Sequence, residues 1–450
     1  MTRQLRVAMD GTHAGTVAMS AGGALTFEYD DTYRALAGPT PLSLSMPLAT
    51  LRHRQRAVLP FLQGLLPDND LALEAMARTY QVSARSPFAL LEHVGHDVAG
   101  ALQLTGQGDE VTDATADRSR LVPMDDDEVA ADLRRAIEAY TSGAPVRTAA
   151  ARMSLSGAQP KIALVRRPDD TWATTTPGVP TTHILKPEYV EPRTPGDRRF
   201  PDLTVVELFS LSLARHAGLP VPHAWMWHSP DGDLRALVLE RYDCRVGPDG
   251  YVHRRHQEDL CQALSVPPAK KYQHLDGGPG VGQVAQLLRT RLSPLDRDQV
   301  ARDFLRAVTF NVAIVNTDAH AKNYSLLLDG SSVALSPLYD VTSIALYVDR
   351  DVPPLHFPMS IDGTYRIADI HPGRLAAEGE RLGIPADEAH QIVHQTLQAL
   401  PDAFDQARAD VRDLPSGTRV ADTVAHGLRA VSPLYGRGGT VTAIDLGSAG

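Results

Sequence analysis

Short apolar pieces alternate with glycine-containing turns from residue 4 to about 30, with breaks at Asp10-Gly11 and Ala21-Gly22-Gly23, and this pattern predicts an antiparallel meander of strands. From Leu59 the spacing changes to that of a helix. Leu65-Leu66-Pro67-Asp68-Asn69-Asp70 is a start signal, after which Leu71 to Val82 carries apolar residues at helical intervals. A second helical piece from Ser86 to Val94 leads into Gly95 to Leu104, which reads as a closing strand. Together these make a small α+β domain over residues 1–105.

The pattern then breaks. Gly106 to Arg120 is polar, acidic and nearly without large apolar groups, the composition of a linker, here placed at 106–122. Asp125-Asp126-Asp127-Glu128 opens an acid-fronted helix through Tyr140 that stops at Ser142-Gly143. Strands follow at Lys161 to Val165 and Thr182 to Lys186, then a loop between Pro187 and Pro201 that is expected to move. A helix from Val205 to Ala217 ends at Gly218, and two more strands span Ala224 to Trp227 and Leu234 to Glu240. From Glu258 on the chain is mainly helical apart from one hairpin. The divisions expected are therefore a strand-rich lobe over 123–243, a helical lobe over 244–436 and an unstructured tail over 437–450.

Composition narrows the functional classes. At 450 residues and 43% apolar content the chain can bury a large core. A formal charge of −10 argues against gripping nucleic acid directly, because phosphate backbones attract basic surfaces, so any link to DNA should run through a partner. The two cysteines, Cys244 and Cys261, have no metal-type spacing and read as small buried side chains. With no signal-peptide core at the start and no membrane-spanning apolar run, the expected location is the cytoplasm.

Candidate chemistry concentrates in Asn316-Thr317-Asp318-Ala319-His320-Ala321-Lys322-Asn323, which puts a carboxylate and a carboxamide five positions apart directly after an apolar helical run. Phosphoryl-transfer loops of kinases use that spacing, the Asp accepting a hydroxyl proton and the Asn holding magnesium. The next two strands, through Asp329 and from Val333, are joined by a Gly-Ser-Ser turn. If the turn centres on Gly330-Ser331, Asn323 sits opposite Leu338, and Asp340 follows roughly 7 Å further along at strand rise. Taken singly, Asp and Asn are usually turn residues. Asp318, Asn323 and Asp340 together, between apolar elements, favour a site for a small hard cation bridging ATP phosphates.

Other residues gain meaning from their order. Lys186 ends a strand and is aimed outward by Pro187, as a phosphate-contacting lysine would be. Glu207 could pair with it, yet Thr204-x-x-Glu207 is equally a capping box, and both readings stand. Ser154 to Lys161 is a small-residue turn able to bring backbone amides near phosphate oxygens, though with a single glycine and no Walker pattern. Leu237 to Asp243 is an apolar strand with a polar exit, suited to holding an adenine by its backbone. His256-Gln257-Glu258-Asp259 reads as a helix cap rather than a metal site. His320 and Lys322 lie inside the candidate loop, where they would orient a neighbour or touch phosphate.

In this order the pieces resemble the HipA family, the toxin kinases of bacterial type II toxin-antitoxin pairs, from about residue 5 to 435. The residues that carry the likeness are Leu65 to Asn69, Ser156 to Lys161, Ile184 to Pro187, Glu240 to Asp243, His256 to Asp259, Thr317 to Asn323 and Tyr339-Asp340-Val341. The resemblance implies an α+β fold, with a small β-rich N-terminal subdomain and a two-lobed protein-kinase-like core whose C-terminal lobe is mainly helical. It implies a Ser/Thr protein kinase using ATP and magnesium, with Asp318 as catalytic base, Asn323 and Asp340 as metal ligands and Lys186 on phosphate. Ser156, Gly157, Ala158, Gln159, Pro160 and Lys161 would line ATP, and Glu240, Arg241 and Tyr242 would lie at the adenine, with His320, Lys322 and Tyr339 also near the nucleotide. Ser154 aligns with the serine that family members autophosphorylate, which ejects the loop and switches the kinase off; Pro160, where an acidic residue is more usual, bears on that mobility. Also implied are a small helix-turn-helix antitoxin, HipB-like, that carries the DNA contact, and a protein target such as an aminoacyl-tRNA synthetase, glutamyl-tRNA synthetase in particular, whose phosphorylation halts translation and favours persistence. A metal-dependent phosphohydrolase and a non-catalytic nucleotide-binding corepressor are the alternative readings.

Overall fold

The computed structural model describes residues 2–106, 121–145, 157, 159–175, 179–189, 200–246, 252–348 and 353–435. Ser154, Ser156 and Ala158, nearly all of the expected linker, most of the Pro187–Pro201 loop and the expected tail lie outside the described residues. The chain forms two compact units. One holds Met1–Asp197, Trp225–Ala269 and Leu327–Ser331, and the other holds Arg198–Ala224, Lys270–Leu326 and Ser332–Gly450.

In the first unit, the expected meander is the strands Arg3–Met9, Thr12–Met19 and Leu25–Tyr29. They form an antiparallel five-stranded sheet closed by Leu102–Gly106 against the first strand and by Arg52–Arg54 against the third. Alternate residues such as Leu25, Phe27 and Tyr29 point inward, as a half-buried strand requires. They pack with Phe61 and Phe88 from the helices Gln55–Gly64 and Pro87–Val94. The Asn69 side chain accepts from Ala72 N at 2.9 Å and so starts the helix Asp70–Tyr80.

The same unit contains a six-stranded sheet in the order Ala224–His228, Arg235–Glu240, His183–Pro187, Ile162–Arg166, Trp172–Thr174 and Val122–Met124. One face of this sheet is covered by the helix Asp126–Ser142, whose Val129 and Leu133 pack with Leu164, Leu185 and Val238. The acidic start is a capping box between Asp125 and Glu128, and Gly143 ends the helix in the left-handed region at φ 66°. The short strands Trp172–Thr174 and Val122–Met124 give little periodic signal, which is why the pattern does not foretell them.

The second unit is largely helical, as expected. The helices Leu203–His216 and Leu400–Val411 meet through Phe209 and Phe404, ring centres 5.1 Å apart. A 20-residue helix, Pro294–Ala313, starts on a Ser293 cap with proline in its first turn and buries Phe304, Val308 and Phe310. Its C-terminal end carries the candidate loop. Among the described residues no helix is long and apolar enough to cross a membrane.

Candidate active site

In the second unit the helix Pro294–Ala313 is broken by Val315, which takes a left-handed φ of 56°, costly for a β-branched residue and held there by its surroundings. Ser343 Oγ donates to Ile314 O at 2.6 Å and Ile344 N donates to Val315 O at 3.2 Å. The segment after Asp340 is thereby bonded to the turn that enters the loop. Asn316, fully buried, donates from Nδ2 to Asn311 Oδ1 at 2.8 Å and accepts from Asp318 N at 3.1 Å. Asn311 in turn donates to the Tyr324 hydroxyl at 3.1 Å.

Asp318 and Asn323 are locked together through the main chain. Asn323 Nδ2 donates to Asp318 O at 2.7 Å, and Asn323 N donates to His320 O at 2.9 Å. That bond commits the amide nitrogen, and the carboxamide oxygen of Asn323 is a hard donor of the kind magnesium takes. The Asp318 side chain is 59% exposed while the His320 side chain is 4% exposed, so the carboxylate alone projects from an otherwise buried loop. Tyr272 donates its hydroxyl to Asp318 Oδ1, and its ring stands edge-on to His320 at 4.7 Å.

Ser336 N donates to Ser325 O at 2.9 Å, which sets the register of the hairpin formed by Ser325–Asp329 and Ser332–Leu335. The paired strands end at Ser325 and Leu335, Asn323 closes the short 3-10 turn Ala321–Asn323 just before them, and Leu338 N donates to Pro220 O at 2.8 Å. Tyr339 closes the base of the hairpin, its hydroxyl donating to Lys322 O at 2.7 Å and bonding Ser325 Oγ at 2.6 Å. Asp340 sits in the left-handed region at φ 51°, which Asp tolerates better than most residues and which aims its side chain differently from an extended strand residue. Lys322 and His320 are buried within the loop.

In the first unit, Lys186 is buried on the strand His183–Pro187, paired with Leu237 of the neighbouring strand Arg235–Glu240. Glu240 is exposed at that strand's end, and the Tyr242 hydroxyl donates to Gln257 Oε1. Gly157 has φ 116°, a backbone conformation that residues with a side chain rarely adopt, so the position favours glycine. Gly157 O accepts from Asp68 N at 3.2 Å and its residue bridges Pro67, which brings Gly157 against the stretch Leu65–Asn69. Pro160 is buried and Gln159 half-buried beside them.

The Arg241 side chain is buried within the first unit. It is 2% exposed and spends every donor internally, on Asp97 Oδ1 at 3.0 Å, Thr181 Oγ1 at 2.9 Å, Val98 O at 3.0 Å and Asp243. Arg254 joins the same group through Asp97 at 3.0 Å. Burial alone would raise the Asp243 carboxyl, but the Arg241 guanidinium outweighs it and holds the group at about 2. Arg241 is thus the centre of a structural ion network, and an arginine after an apolar strand gives no sequence sign of that.

The family HipA-like C-terminal domain matches residues 153–404, and the family HipA N-terminal domain matches residues 5–105. This chain belongs to the HipA family. A relative named putative kinase Y4mE, of Sinorhizobium fredii, is 38% identical over 353 residues, 77% of this chain and 79% of its own length. Another, named serine/threonine-protein kinase toxin HipA, of Shewanella oneidensis, is 29% identical over 372 residues, 81% of this chain and 80% of its own. Among solved structures, HipA of Shewanella oneidensis MR-1 with HipB and its operator DNA matches with a TM-score of 0.74 at 24% identity, over 94% of this chain and 95% of that one. The HipA-family chain accordingly has the mixed helix-and-sheet, kinase-like fold of that protein.

Proposed function

We propose that this HipA-family chain is a Ser/Thr protein kinase that transfers the γ-phosphoryl group of ATP to a protein hydroxyl. The observation that carries the reading is the coupling of Asp318 and Asn323 through a 2.7 Å bond, with Tyr339, the residue before Asp340, donating its hydroxyl to Lys322 O at 2.7 Å. The Asp318 carboxylate takes the proton of the acceptor hydroxyl as its oxygen bonds to the γ-phosphorus, and ADP leaves with the electrons of the broken P–O bond. Asn323 and Asp340 offer the hard oxygen donors that fit magnesium, which would neutralise charge on the phosphate oxygens. Lys186 is the phosphate-contacting lysine, and the turn at Gly157 to Lys161 approaches the nucleotide, with Glu240 and Tyr242 at the adenine.

The chain's partner is a HipB-like, DNA-binding antitoxin, in keeping with the assembly of the Shewanella protein with HipB and operator DNA and with this chain's net charge of −10. Its action is that of a growth-inhibiting toxin, with an aminoacyl-tRNA synthetase as the candidate target and Ser154 as the candidate autophosphorylation site. The test is incubation of the purified chain with γ-labelled ATP and the protein fraction of a bacterial extract. Wild type is expected to label protein. Asp318→Asn should bind ATP but lose transfer by about 10²–10⁴-fold, the usual contribution of a positioned base. Asp340→Asn should weaken metal-dependent nucleotide binding. Release of free phosphate without labelled protein would overturn the kinase reading, and wild-type transfer by Asp318→Asn would remove the base.

A further inference from the structure

A carboxylate that is 59% exposed on a fixed main chain still turns about its side-chain bonds, and a base must hold one orientation to take a proton. The loop fixes the backbone of Asp318 through Asn316, His320 and Asn323, and His320 Nε2 lies 3.8 Å from its Oδ1. Tyr272 donates its hydroxyl to the carboxylate itself, at Oδ1. We propose that Tyr272 is a positioning residue for the transfer step, which fastens Asp318 Oδ1 and so fixes the orientation in which the carboxylate meets the acceptor hydroxyl; this rests on Asp318 acting as the base.

Two further features support it. A carboxylate accepts on both oxygens, so the phenol can occupy one without blocking the other. Tyr272 also stands on a built support. Lys271 O accepts from Ala321 N at 3.3 Å, so the tyrosine's backbone is bonded to the loop it serves. Tyr272 O accepts from Asp276 N at 3.1 Å and Gly278 N at 3.0 Å, and Gln273 Oε1 accepts from Ser360 N at 2.8 Å. Gly278 can approach so closely only because it lacks a side chain, since a Cβ there would lie 1.8 Å from Lys270 O. The phenol is carried by a tightly wound turn aimed at Asp318.

The experiment compares full-length wild type, Tyr272→Phe, Asp318→Asn and the double variant, with γ-labelled ATP and the protein fraction of a bacterial extract. Tyr272→Phe keeps the ring against His320 and should retain the wild-type melting temperature and KM for ATP. Its kcat should fall by about tenfold, part of a base's usual share. Without the donor that favours the anionic carboxylate, the acidic limb of its pH–rate profile should move to higher pH. Replacing Tyr272 by 3-fluorotyrosine, a stronger donor, should move that limb the other way. In the Asp318→Asn background Tyr272→Phe should cost nothing more. A Tyr272→Phe enzyme with wild-type kcat and an unmoved pH profile, beside an inactive Asp318→Asn, overturns the role of Tyr272 alone. Equal losses in both backgrounds reduce it to a structural contact. Wild-type transfer by Asp318→Asn removes the base assignment and Tyr272's role with it.

Discussion

Glu258 is a carboxylic acid in a place that disfavours its charge. It is fully buried, its oxygens facing Leu44 N at 2.8 Å and Ser43 Oγ, and burial pushes its carboxyl up to about 8 from an ordinary 4.5 despite those two donors. A group whose folded value is raised stabilises fully below its unfolded value, and that stability is lost as pH rises toward the folded one. Glu258 therefore weakens the fold progressively between pH 4.5 and about 8, by at most about 1.4 kcal/mol per unit. Buried His256 has the opposite sense, since burial lowers it from 6.5 to about 4, and its stabilisation is lost only as pH falls below 6.5. The window above pH 6.5 isolates Glu258. In Glu258→Gln the amide oxygen can still accept from Leu44 N while its nitrogen donates to Ser43 Oγ, with no charge to bury. Urea unfolding should find this variant close to wild type near pH 5 and more stable by about 1–2 kcal/mol at pH 8. A difference that does not grow with pH would place the charge of Glu258 outside the folding balance.

At the scale of elements, the helix Gly417–Val431 bears on the site without touching a reactant. A Cβ on Gly427 would lie 2.0 Å from Ala345 O, backbone that cannot swing aside. Gly427→Ala should cost about 1–3 kcal/mol as overpacking. Because Ser343 and Ile344 are bonded to Ile314 and Val315, the shift should reach the candidate loop and lower transfer as well as the melting temperature. Gly282 is the control, with only Arg381 Cδ at 3.9 Å from its Cβ position, so Gly282→Ala should leave transfer unchanged and stabilise the helix Val281–Arg291 by up to about 1 kcal/mol. Parts of this architecture were legible in the sequence because they are local. The caps at Asn69 and Asp125, the period-two strands and the hairpin register are each set within a few residues. The Asp318–Asn323 spacing is local too. Tyr272 was not legible, because its partner lies 46 positions away, nor was the Arg241 network, whose contacts span 144 positions to Asp97. Hydrophobic periodicity encodes which face is buried and says nothing about which distant polar groups meet there. The position of the arginine after an apolar strand does not reveal that its fork is closed inside the protein.

On the scale of the molecule, the stretch matched by the HipA N-terminal domain, residues 5–105, shares one compact unit with the strands that follow it. The polar groups it supplies are specific. Asp97 serves both Arg241 and Arg254, Gly100 N donates to Asp243 Oδ2 at 2.7 Å, Leu42 O meets His256 Nε2 at 2.9 Å, and Ser43 and Leu44 satisfy Glu258. Removing residues 1–105 would leave two guanidiniums and two carboxyls without these partners, beside an apolar surface that loses its cover. A single broken buried pair costs about 3–5 kcal/mol, and a whole domain has only about 5–15 kcal/mol in hand. Several such losses together exceed what the remainder can offset. A chain of residues 121–450 should accumulate insoluble or melt without a cooperative transition, while supplying residues 2–106 as a separate polypeptide should restore solubility, since the partners return without the covalent link. Soluble yield and a circular-dichroism melt decide it. A cooperative transition of 121–450 near that of the full chain would mean that the N-terminal stretch is an appended module, and that the buried ion network adds little to the fold it crosses.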